Sequence, residues 1–265
     1  MDLKYLSNIN SPEDLKNYSK KDLKPISNEL REYITSTVNE IGGHLASTLG
    51  VVELTTALHY VYDAPKDKII WDTGHQAYAH KVLTGRFSSL KTIRKYRGLS
   101  GFLKRSESEY DVFGAGHAST SISAGLGIAS SRDLNNENFK VVSVIGDGAL
   151  TGGLAYEALN NAGNARKQLL VILNDNQMSI SPNVGAMRNY LMKISTNKYY
   201  NYIRTKIGNL PDIAYGKTLL RRMESSAKNF FLPRTVFEDL GFRYFGPVDG
   251  HDVNLLVNTL EKIKD

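Results

Sequence analysis

The chain is 265 residues long and 41% hydrophobic, with 22 glycines and a formal net charge of +6 from 33 basic and 27 acidic side chains. It has no cysteine, which excludes a disulfide framework, a thiolate nucleophile and a Cys-based zinc site. No stretch reaches the roughly 20 apolar residues of a membrane span. The basic side chains are scattered and lack zinc-finger spacing or an RNA-recognition motif, which points away from nucleic acid and towards phosphate-bearing small molecules.

The polar start, MDLKYLSNINSPEDLKNYSKKDL, lacks the apolar core of a signal peptide, so the cytoplasm is the expected compartment. Residues 1–27 are expected to form an arm in which Ser11-Pro12-Glu13-Asp14 starts a helix. Ser27 is expected to cap a second helix over 28–41, closed by Gly42-Gly43. Val51, Leu54, Leu58 and Val61 then share one helical face, and that helix stops before Pro65. A strand–turn–helix pattern follows and repeats. DKIIWD precedes TGHQAYAHKVL, FKVVSVIGDG precedes GGLAYEALNNAG, KQLLVILNDN ends in Asn-Asp-Asn, and GFRYFGPVDG precedes HDVNLLVNTLEKIKD.

Uniformly apolar strands alternating with helices predict an α/β fold, a parallel sheet flanked by helices on both faces, with 1–265 as one domain. Right-handed crossovers place the strand C-termini on one edge, where such sheets bind ligands. Residues 72–75, 146–148 and 174–176 belong to that edge. The Tyr-, Asn-, Lys- and Arg-rich residues 186–232 are expected to be an irregular or helical insertion. The chain stops on an amphipathic helix pattern where the repeat would next supply a strand. That predicts either a piece of a longer sequence or a partner that completes the sheet.

Gly146-Asp147-Gly148 places one carboxylate among residues without side chains, where it can serve a turn, a sugar hydroxyl or a metal ion. A dinucleotide fingerprint needs glycine at 151, where Thr151 stands, and the Gly-Lys-Ser/Thr of a P-loop is absent. Asn176 lies 29 residues after Asp147, the length of one helix and one strand, so both side chains end adjacent strands. A carboxylate and an amide oxygen suit Mg²⁺ or Ca²⁺, and Mg²⁺ usually completes its shell with phosphate oxygens and water. Helix N-termini at Gly148 and Gly116 are expected to offer N–H groups to the same phosphates. His44, His75 and His117 each stand beside glycine before a helix, within reach of a ligand. His59 and His251 carry no assignment, and His80 is expected on the surface of its helix. The STSISAGLGIA run reads as a small-residue packing helix behind the phosphate site.

Gly-Asp-Gly followed by Asn-Asp-Asn resembles the thiamine-diphosphate motif shared by transketolases, decarboxylases and their relatives. The strings GGHLASTLGVVELTTALHYVYD, DKIIWDTGHQAYAHKVLTGR, GLSGFLKRSESEYDVFGAGHASTSISAGLGIA and NDNQMSISPNVGA resemble, more closely, the 1-deoxy-D-xylulose-5-phosphate synthases. The likeness runs from about Leu23 to the end and covers only the N-terminal portion of those enzymes.

The resemblance implies a thiamine-diphosphate-binding fold with Mg²⁺ held by Asp147, Asn176 and the Met178 carbonyl. It implies cofactor contacts from His75, Gly116, His117, Ala118, Gly148, Ala149 and Asn176, with His44 facing the reacting carbon. Many relatives have serine where Ala118 stands, so a hydroxyl contact is lost there. The implied transferase reaction joins pyruvate to glyceraldehyde 3-phosphate, giving 1-deoxy-D-xylulose 5-phosphate and CO₂ for isoprenoid and thiamine precursor synthesis. The family's activating glutamate belongs to a following domain with no counterpart here. A homodimer, or association with a missing C-terminal half, is therefore expected. Three readings stay open: a piece of such a synthase, a half-subunit of a split transketolase, and a non-catalytic cofactor-binding module.

Overall fold

The computed structural model describes residues 3–175, 190 and 235–264. The chain divides into two compact units, Met1–Asn183 with Val248–Asp265, and Val184–Pro247.

In the first unit, α1 (Pro12–Lys16) starts where the sequence places it. Ser11 Oγ accepts the Asp14 N–H, and the Asp14 carboxylate accepts the Ser11 N–H, a reciprocal capping box with proline in the first turn. The stretch does not stand off as an arm: Leu6, Ile9 and Leu15 are buried in the main core. The Glu29 carboxylate ties it down by accepting the N–H groups of Tyr5 and Leu6 at 2.9 Å each.

α2 (Leu23–Ile41) begins ahead of the expected cap, and Ser27 is buried within it, 3.2 Å from Thr56 Oγ1. Pro25 falls in the first turn, where a missing N–H is tolerated, and the extra turn buries Leu23 and Ile26. Gly42, at φ 77°, ends the helix and donates its N–H to Val38 O at 2.8 Å.

α3 (Leu45–Leu49) leads into α4 (Val52–Val61). α4 buries more than the one expected face, because α1, α2, α5 (Tyr78–Lys81) and α10 (Val253–Lys264) pack around it. Thr55 and Thr56 satisfy their buried hydroxyls on the Val51 and Val52 carbonyls one turn back.

β1 (Lys68–Trp71), β2 (Val141–Gly146) and β3 (Leu170–Asn174) form a parallel sheet in the order β1-β2-β3. The register pairs Trp71 with Val144 and Gly146 with Asn174. Alternate residues face opposite layers. Ile69, Trp71, Val142 and Val144 join the core that includes α2 and α4, whereas Ile70 packs with Ala129 of α6 (Ser121–Leu134). At Gly125 the helix approaches so closely that a Cβ would lie 2.3 Å from Ser143 Oγ. α8 (Gly153–Ala165) lies beside α6. The expected packing helix is thus α6, set against β1 and β2.

α10 starts under Asp252, whose carboxylate accepts the N–H groups of Asn254 and Leu255 at 3.1 and 3.0 Å. Val253, Leu256, Val257 and Leu260 enter the main core. The strand expected over 241–250 does not form. Gly241 and Gly246 take φ of 95° and 154°, and Pro247 has no N–H to give a ladder.

In the second unit, α9 (Val236–Asp239) is capped by a Thr235–Glu238 box, and the Val236 N–H donates to Tyr190 Oη at 2.6 Å. The Phe237 and Tyr244 rings stack at 5.8 Å. Apart from Tyr190, residues 186–232 lie outside the described residues.

Candidate active site

The C-terminal ends of β1, β2 and β3 run into Asp72, Asp147 and Asp175. Directly after β1, the Asp72 N–H donates to Val144 O at 2.8 Å. Thr73 (φ 61°) and Gly74 (φ 83°) then turn the chain towards His75. Glycine is required at 74, since a Cβ there would lie 2.8 Å from Ala115 Cβ and 3.2 Å from the Leu103 nitrogen.

His44, immediately before α3, meets His75 with ring centroids 5.5 Å apart and planes at 75°. Thr48 fixes the two loops together: its hydroxyl lies 2.7 Å from His44 O and 3.2 Å from His75 O. The Nδ1 atoms of both rings are buried without a hydrogen-bond partner among the described residues. Burial lowers both histidine pKa values; the Arg94 charge adds to this at His44, and the His44 ring adds to it at His75. Two neutral imidazoles with unused nitrogen atoms therefore face each other at the strand edge.

Asp147 follows β2, and continuing the Gly146–Asn174 register sets Asp175 opposite it. Burial raises the Asp147 pKa, and the Asp175 charge raises it further, as does a side-chain hydrogen bond to Asp175 that needs the protonated form. The Gly148 N–H acts the other way. Two carboxylates held together fit a hard divalent cation, whose charge would relieve their repulsion. No group of three or more His, Asp or Glu side chains suited to a metal occurs among the described residues. Asn176 and Met178 lie outside those residues. Asp175, the middle of Asn-Asp-Asn, belongs to the expected strand edge but carried no role there; the strand register sets it opposite Asp147.

Gly148 and Ala149 sit in the single turn of α7 (Asp147–Leu150). Gly116, His117 and Ala118 are exposed on the loop before α6, so Gly116 does not open a helix as expected. The φ values of 145° at Gly116 and 72° at Ser119 keep that loop non-helical until Thr120. A Cβ would meet nothing within 4 Å at Gly114, Gly116, Gly146 or Gly153. Open backbone of this kind is what a diphosphate can approach closely.

His80 is not a surface residue. It is 1% exposed, with Nδ1 2.9 Å from His59 Nε2 and Nε2 3.3 Å from Asp111 Oδ1. Arg86 spans both Asp111 oxygens at 2.9 and 2.8 Å and also reaches Glu107, which pairs with the fully buried Lys81. His251, which carried no assignment, lies 3.1 Å from Glu53.

This fold is the transketolase-like α/β arrangement. Two crystal structures of arginine variants of the transketolase from Pichia stipitis, the second in complex with fructose 6-phosphate, match it with TM-scores of 0.65 and 0.64. Each is 18% identical and is matched over 93% of this chain and 34% of its own. The chain belongs to the 1-deoxy-D-xylulose-5-phosphate synthase family, whose N-terminal model matches residues 6–265. Curated synthases of that name are 52% identical in Alkaliphilus oremlandii, 54% in Caldanaerobacter subterraneus and 55% in Dictyoglomus turgidum. They align with 98–99% of this chain, which spans only 42–43% of their length. No helix among the described residues is long and apolar enough to cross a membrane.

Proposed function

We propose that this chain carries the thiamine-diphosphate and Mg²⁺ anchor of a 1-deoxy-D-xylulose-5-phosphate synthase, which condenses pyruvate with glyceraldehyde 3-phosphate and releases CO₂. The observation that supports it most is the Asp147 carboxylate at the end of β2, beside open glycine backbone, in a chain of that family. When bound, thiamine diphosphate supplies the carbon nucleophile and the electron sink for decarboxylation and carbon–carbon bond formation.

Asp147, Asn176 and the Met178 carbonyl are the proposed Mg²⁺ ligands. Gly148 and Ala149 approach the diphosphate through their backbone, and His75, Gly116, His117 and Ala118 line the rest of the cofactor. His44, held neutral near pH 7 by burial and by Arg94, can accept a proton at its unused ring nitrogen and return it. Because the chain spans less than half of its relatives, the site is completed by the remaining portion of such a protein, within a homodimer or as a separate half.

Calorimetric titration of thiamine diphosphate with Mg²⁺ tests the anchor. Binding that is lost in Asp147→Ala and Asn176→Ala supports it, whereas no binding, or binding unchanged in both variants, refutes it. Formation of 1-deoxy-D-xylulose 5-phosphate from the two substrates, on adding the C-terminal portion of a relative, tests the reaction.

A further inference from the structure

Asp72 is a 1% exposed carboxylate, and what it accepts is mostly backbone. Oδ1 takes the Ser119 N–H at 2.7 Å and faces Thr73 Oγ1 at 3.3 Å, while Oδ2 takes the Ser121 N–H at 2.9 Å. Ser143 of β2 grips the same strap from the other side, its hydroxyl donating to Ser121 O at 2.9 Å. Between these holds, Ser119 adopts φ 72°, a left-handed conformation unfavourable for a residue with a Cβ. Its hydroxyl points away from the loop that carries Gly116–Ala118 and donates to Ala149 O at 2.6 Å. Gly152 makes room for this contact, since a Cβ there would lie 2.2 Å from Ser119 Oγ.

We propose that Asp72 and Ser119 are positioning residues that lock the 114–119 loop to the 147–152 turn, so that the two segments that take the cofactor are set as one unit. The inference rests on the cofactor roles proposed above for Gly116, His117, Ala118, Gly148 and Ala149. Ser119 acts through the Ala149 carbonyl and touches no ligand: its N–H and its O–H are both committed inward. The strain at Ser119 is local to the place where the strand ends of β1 and β2 are joined, and the Asp72 carboxylate holds it there. Without the hydroxyl, the turn after Asp147 keeps its own short-range bonds, Thr151 N–H to Gly148 O and Gly152 N–H to Ala149 O, but loses its tie to the facing loop.

The test uses Ser119→Gly, which removes the hydroxyl while suiting the positive φ, and Gly152→Ala, which pushes the hydroxyl away from the opposite side. Amide exchange of the ligand-free chain is measured over 147–152. Loss of one buried hydrogen bond predicts roughly tenfold faster exchange there in both variants, with the melting temperature of Ser119→Gly close to that of the parent. Titration with thiamine diphosphate and Mg²⁺ is the second readout, with affinity expected to fall roughly tenfold in both variants. Unchanged exchange over 147–152 overturns the lock. Faster exchange with undiminished affinity overturns its role in positioning. If the parent chain binds no thiamine diphosphate, the proposed function fails and the exchange result alone decides the lock.

Discussion

Replacing Asp111 by asparagine removes one negative charge from a buried set in which two cations, Lys81 and Arg86, face two carboxylates, Glu107 and Asp111. The carboxylate accepts from Arg86 at both oxygens, from His80 Nε2 at 3.3 Å and from the Lys104 N–H at 3.0 Å. An amide in its place points N–H donors at other donors on one side and leaves a net positive charge buried. Breaking a buried ion pair at one partner costs about 3–5 kcal/mol. For a chain of this size that corresponds to a fall in melting temperature of roughly 6–20 °C. Burial alone would raise the Asp111 pKa, but the hydrogen bonds and charges of His80 and Arg86 hold it well below the usual carboxylate range. Its contribution is therefore present above the unfolded value of about 3.9 and is lost as pH falls through the folded one. Urea unfolding of both chains at pH 7 and below pH 4 is the assay. The gap between them should narrow on acidification. A loss under about 1 kcal/mol at pH 7, the worth of an exposed pair, would refute the reasoning.

Asp147→Asn should raise the stability of the ligand-free chain. The raised carboxyl binds more protons folded than unfolded, so its unfavourable effect grows as pH rises above about 3.9. The gain in melting temperature should appear at neutral pH and vanish in acid. His44 and His75 behave oppositely: held below 6.5, they contribute stability that declines as pH falls below that value. Proton NMR should find both rings titrating below 6.5, and Arg94→Met should move the His44 midpoint upwards. Gly125→Ala should cost about 1–3 kcal/mol despite the better helix former, because the new methyl meets Ser143 Oγ at 2.3 Å; Ser143→Ala in the same chain should recover part of the loss in thermal melts.

The elements that sequence reasoning placed well are those whose residues carry the whole signal. Val141–Ile145 is apolar apart from Ser143 and ends in Gly-Asp-Gly, so a buried strand and an edge carboxylate follow without knowledge of the partners. The pairing of Asp175 with Asp147 was not legible because element lengths show that two strands are neighbours but not their register, and only the Gly146–Asn174 pairing sets the two opposite each other. His80 was misplaced for a similar reason. Its helix looks one-sided in sequence, yet α4 supplies His59 and a distant loop supplies Glu107 and Asp111, and that burial is tertiary. Ser27 looks like a cap until Leu23 and Ile26 are seen to bury the turn before it. The missing strand at 241–250 had its breakers, Gly241, Gly246 and Pro247, in plain view.

The helix Val253–Lys264 closes the core against α4 and α2, and Lys20 reaches Glu261 at 2.6 Å across 241 residues of chain. As the protein emerges from the ribosome, the part of α4 that this last helix covers waits exposed while the whole of the 184–247 unit is synthesised. At about 5–20 residues per second, the 64 residues of that unit take several seconds. Non-local closure of this kind favours slow folding and a stage at which an incomplete chain presents adhesive surface. Recombinant versions that stop before Val253 should therefore partition into aggregates even though every residue of the strand edge is present.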